Sequence, residues 1–117
     1  AIESPRLAFC YDSSHDRLYG TEPGAVAREL GGRLAVVHLS DNDGAMDQHW
    51  LPGEGVVDWP AVAAALRGAR RPEHWMLEVV PKRSDAPEPP EAFLARAYER
   101  VTRLAGMIEG SPAPPRS

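Results

Sequence analysis

A single cysteine, Cys10, occurs in the 117 residues, so the chain cannot form a disulfide within itself. That usage fits a reducing compartment, and a cytoplasmic location is the expectation. No apolar run approaches the roughly 18 residues that a membrane span requires, so no membrane partner is expected. Positive charge is scarce. The formal net charge is −4, and basic residues gather only at Arg67, Arg70 and Arg71. Those three fall where a helix should end and read as cations near its carbonyl terminus. A nucleic-acid surface needs a concentrated basic patch, so its absence argues against a nucleic-acid partner. The first residues, Ala1-Ile2-Glu3-Ser4-Pro5, offer neither a methionine nor a basic signal region, and the chain reads as a piece of something longer.

What is present suits a folded α/β domain: 43% of residues are hydrophobic, enough for one core. Leu7–Asp12 reads as a short buried strand ending in a polar cluster. Thr21, Glu22 and Pro23 are expected to open a helix with Thr21 as its N-cap, stopped by Gly31-Gly32. Leu34–Leu39 forms the second strand, and residues 41–57 form a long loop. Asp58 caps a helix over Trp59–Ala69. Trp75–Val80 is the third strand. After a proline-rich loop, Glu91 to about Ile108 carries apolar residues at spacings of three and four, with Phe93 and Tyr98 expected in the core. Residues 110–117, holding three prolines in eight positions, read as a disordered tail. The resulting β-α-β-α-β-α order calls for parallel strands with right-handed crossovers. A closed (β/α)8 barrel takes about 250 residues, so the expectation is a partial TIM barrel of three β-α units spanning residues 1–109.

Each strand ends in a residue suited to binding a metal: Asp12 on the first, His38 on the second, Glu78 on the third. In parallel α/β folds the loops leaving the C-terminal strand ends gather on one face, where sites are built. Three adjacent strands presenting a carboxylate or imidazole there form a coherent donor set. Alternation then turns Ala8, Cys10, Leu34, Val36 and Met76 toward the barrel interior and Phe9, Tyr11, Trp75 and Leu77 toward the helices. Asp47 and His49, two apart, share one side of an extended segment; His15 reaches the same mouth if the chain turns after Asp12. His74 reads as an ordinary polar residue, and Asp41, Asp43 and Asp58 as turn or capping carboxylates.

Phe9–His15, His38–Asn42 with Asp47–Gly55, and Leu77–Val79 together resemble the last three strands of the xylose-isomerase-like TIM-barrel superfamily. The resemblance runs from about residue 5 to 108. This superfamily includes sugar and sugar-phosphate isomerases, epimerases and apurinic endonucleases of the endonuclease IV class. It implies that Asp12, His38 and Glu78 hold a divalent metal (Mn²⁺, Mg²⁺, Co²⁺ or Zn²⁺; mixed Asp, Glu and His donors do not choose among them). Glu78 would also serve as a catalytic acid/base, and His15 would orient a substrate oxygen. His15, Asp47 and His49 resemble a second metal or substrate set, with Gly53 and Gly55 letting the loop pass close to substrate. The implied function is metal-dependent isomerisation or epimerisation of a sugar, sugar phosphate or polyol. A zinc phosphodiesterase resembling endonuclease IV is the alternative, and so is a non-catalytic half that self-associates or awaits an N-terminal half-barrel. The superfamily's glutamate ligand from an earlier strand has no counterpart here.

Overall fold

The structure, a computed structural model, describes residues 3–110; the expected disordered tail lies outside them, apart from Gly110. The elements run β1 (Phe9–Asp12), α1 (Ser13–Tyr19), α2 (Ala25–Leu30), a 3-10 turn (Gly31–Arg33), β2 (Leu34–Leu39), α3 (Trp59–Arg67), β3 (Trp75–Leu77) and α4 (Pro90–Glu109). The strands form one parallel sheet in the order β1-β2-β3. This is an α/β fold, a partial TIM barrel.

Helices cover one face of the sheet. Tyr11, Leu34, Val37 and Leu39 point into a core built with Ala27, Trp59, Val62, Leu66, Leu104 and Ile108. On the other face Cys10 is exposed, as are Val36 at 39% and Met76 at 47%, while Asp12 and His38 are half-buried. This is the alternation expected of a barrel wall, with one correction. Leu34, expected among the inward residues, is buried in the helix-side core at 1% exposure. The β1–β2 register shifts between Phe9, which pairs with Leu34, and Cys10, which pairs with Val36. One extra residue in β2 thus reverses the facing of everything below it.

Two further expectations change. The helix anticipated from Thr21 starts at Ala25, after Gly24 in the left-handed region (φ 77°). A separate helix, α1, begins directly after Asp12, whose side chain accepts the His15 N–H at 3.0 Å. In α4 the buried residues are Ala97, Leu104, Gly106 and Ile108, whereas Leu94 and Tyr98 are exposed at 65% and 43% and Phe93 is half-buried. The C-terminal half of that helix carries most of the packing. Arg67 donates to the carbonyls of Met107 and Ile108, and Arg71 pairs with Glu109 at 2.7 Å. Arg67, in the last turn of α3, thus satisfies carbonyls at the end of the neighbouring helix α4.

Candidate metal centre

The C-terminal ends of all three strands meet at one mouth. Asp12 pairs in register with His38, and His38 with Met76, so Glu78, two residues past Met76, returns to the same face. His38 Nδ1 lies 3.2 Å from Glu78 Oε2. One donor atom from each of Asp12, His38 and Glu78 falls within 4.8 Å of the other two. Donors bound at about 2.1 Å to a common ion sit roughly 3–4 Å apart, and the half-exposed Glu78 side chain (51%) can rotate to close that difference. The donor chemistry and spacing therefore fit a divalent cation.

Asp12 divides its carboxylate. Oδ1 caps α1 through the His15 N–H, leaving Oδ2 for the mouth, 3.6 Å from His15 Nδ1. Capping the helix with one oxygen therefore leaves the other available at the mouth. Serine caps helices about as well as aspartate. Asp12→Ser is accordingly expected to keep stability within about 0.5 kcal/mol while weakening divalent-metal binding; urea melts and calorimetric titration with Co²⁺ check the two halves.

His15, Asp47 and His49 form a second group around one oxygen. Asp47 Oδ2 is 3.0 Å from His15 Nε2 and 3.3 Å from His49 Nε2. The segment is not the extended one expected, because His49 takes a left-handed conformation (φ 57°). Its Nδ1 lies 2.9 Å from the Glu78 carbonyl oxygen. A carbonyl can only accept, so Nδ1 carries a proton and Nε2 faces the Asp47 carboxylate, an arrangement that calls for a proton or a cation between them. Asp47 Oδ1 is buried without a partner among the described residues. Partial desolvation first, then the charges of Asp12 and Glu78, raises the Cys10 thiol above its ordinary value; Cys10 shares the inner face with those carboxylates.

Several residues that sequence reasoning passed over hold this arrangement. The Ser13 hydroxyl donates to the Ser40 carbonyl and accepts the Ser40 N–H; Ser40 Oγ donates to Ser14 Oγ, and Asn42 Nδ2 to the Ser14 carbonyl. This buried network fixes the start of α1, and with it His15, against the end of β2. Its signal was the hydroxyl pair directly after one strand and Ser40-x-Asn42 after the next. Gly55 is packed against Asn42 and Asp41, where a Cβ would lie 2.1 Å from the Asn42 carbonyl oxygen. Its close approach is to its own loop, where the resemblance had implied substrate.

The family model described as "Xylose isomerase-like TIM barrel" matches residues 1–103. The chain belongs to that family. Within it, the y4fM protein of Sinorhizobium fredii is 46% identical over 104 residues, covering 87% of this chain and 32% of its own length. The Rv0498 protein of Mycobacterium tuberculosis is 30% identical, covering 84% and 35%. The chain thus spans about a third of the length of these two curated relatives. Fructoselysine 3-epimerase of Escherichia coli O157:H7 is 35% identical over 54 residues, covering 46% of this chain and 20% of its own. Among solved structures, the TTHB071 protein of Thermus thermophilus, soaked with ZnCl2, is 32% identical with a TM-score of 0.54, covering 88% of this chain and 36% of that one. No helix among the described residues is long and apolar enough to cross a membrane.

Proposed function

We propose that these three β-α units, the last three of a barrel, belong to a metal-dependent isomerase or epimerase acting on a sugar, sugar phosphate or related polyol. The observation carrying this reading is the convergence of Asp12, His38 and Glu78 at the C-terminal strand ends, in a chain that resembles an epimerase over 54 residues. A divalent ion held by the three would polarise a substrate carbonyl and acidify the adjacent C–H. Glu78, half-exposed at the mouth, takes or returns that proton. His15 orients a substrate oxygen, and Asp47 fixes the His15 ring through Nε2. A second acid/base on the opposite face of the substrate comes from outside this chain. The bare inner face, with Cys10, Val36 and Met76, is the wall that the other units would cover, and alone it favours self-association.

The test is solvent-deuterium incorporation next to the carbonyl of ketoses and ketose phosphates in D₂O, read by NMR with Mn²⁺ or Co²⁺ added. The chain alone is expected to exchange at no more than about one-hundredth of the rate seen when the remaining barrel units are joined to it, since one of two acid/base groups is missing. Glu78→Gln in the joined protein should abolish the gain. Cleavage of an abasic oligonucleotide, with no exchange on any ketose, would replace this reading with zinc phosphodiester hydrolysis. The gathering of His15, Asp47 and His49 around one oxygen favours that second reading; the net charge of −4 weighs against it.

A further inference from the structure

Asp41, two residues past β2, is completely buried. Its carboxylate accepts four N–H donors: Asn42 (2.9 Å) and Val57 (3.0 Å) on Oδ1, Gly53 (2.9 Å) and the Trp59 indole (2.8 Å) on Oδ2. Its backbone also exchanges two hydrogen bonds with Trp50, at 2.8 and 3.0 Å, as an isolated antiparallel bridge. These partners come from both ends of the 42–57 loop and from the first residue of α3. Asp47 and His49 lie in the arch between, and His49 directly precedes Trp50. On its far side the arch is tied to the end of β3 by the His49 ring and by the Val80 N–H on the His49 carbonyl (2.8 Å). A turn carboxylate serves its own neighbours; this one closes a loop across 18 residues.

We propose that Asp41 is the positioning residue for the second half of the site: its carboxylate closes the 42–57 loop so that His49 presents Nε2 to Asp47 Oδ2. All four donors on that carboxylate are neutral, so its negative charge is spent on fixing backbone direction. Asp12 and His38 sit on strand ends outside the arch; Glu78 meets it only through its carbonyl oxygen, while its N–H is held by the Leu39 carbonyl at 3.1 Å. This inference rests on Asp47 and His49 being site residues, as the proposed function has it, but its test needs no turnover.

Imidazole ¹⁵N spectra of the metal-free chain are compared with those of Asp41→Asn and Trp59→Phe. The asparagine keeps the shape and turns an NH₂ against two of the four donors; the phenylalanine removes one donor alone. In the parent chain His49 is expected to show an Nδ1–H held by the Glu78 carbonyl and slow to exchange. In Asp41→Asn that signature is lost, exchange of the Val57 and Gly53 amides rises by about tenfold, and Co²⁺ affinity at Asp12, His38 and Glu78 stays within about twofold. Trp59→Phe moves the same signals less far, and it decides the matter if Asp41→Asn does not fold. A folded variant with an unchanged His49 Nδ1–H signal overturns the positioning role. Equal loss at His49 and at the three strand-end ligands also overturns it, because a general loosening would do that. Failure of the deuterium-exchange experiment leaves all these readouts in place, so the two proposals fall separately.

Discussion

Replacing His38 by alanine is expected to lower the chain's affinity for Co²⁺ or Zn²⁺ by at least about a hundredfold, since losing even a residue that only supports a ligand costs 10–100-fold. His38 stands between the two carboxylates. It is in register with Asp12 on one side and 3.2 Å from Glu78 Oε2 on the other. Without it, two carboxylates remain with nothing between them, and their mutual repulsion opposes the approach that binding requires. His15 cannot substitute, because it stands on α1 and its Nε2 is directed at Asp47. The measurement is competition with a chromophoric chelator, alongside His49→Ala as a comparison. If His38→Ala binds as tightly as the parent, or His49→Ala is the more damaging of the two, the principal metal does not sit at the strand ends.

Leu39→Ala is expected to cost about 2–5 kcal/mol of unfolding free energy, the range for emptying a closed aliphatic site. Leu39 is 0% exposed and belongs to the helix-side core, one residue from His38, which faces the other way. Met76→Ala on the bare face should cost less than about 1 kcal/mol, because a side chain 47% exposed leaves no cavity behind. Urea denaturation of the two variants reads the contrast directly. A large cost at Met76 would mean that the inner face is already covered, most simply by a second copy of the chain.

Much of this was legible from the residues because parallel strands present chemistry at fixed places. Asp12, His38 and Glu78 could be grouped without knowing the sheet, although the third strand, expected to run to Val80, ends at Leu77, one residue before Glu78. The bulge in β2 was not legible. Leu34 is as apolar as Val36, and nothing in Leu34-Ala35-Val36 says which residue is the extra one; the pairing with Phe9 decides it. Helix α1 was missed because Ser13, Ser14, His15 and Asp16 have weak helix propensity. Its formation depends on the Asp12 cap and on contacts with Ser40 and Asn42, residues 26–28 positions away. Asp41 was mistaken for a turn residue for the same reason: three of its four donors lie 12–18 residues downstream. The exposed stretch of α4 shows the converse. Its periodicity is real, but periodicity names a face without naming what covers it.

The divided carboxylate of Asp12 leaves no slack in side-chain length. A glutamate there would keep the charge yet carry its oxygens one methylene farther out, past the His15 N–H that begins α1. Reach to the ion and reach to the helix would then compete for one carboxylate, and whichever contact prevailed would be made at the other's expense. Charge alone would thus be a poor guide to which substitutions this position tolerates. Aspartate, the shorter of the two acids, caps the helix with one oxygen while the other stays at the mouth, 3.6 Å from the His15 ring.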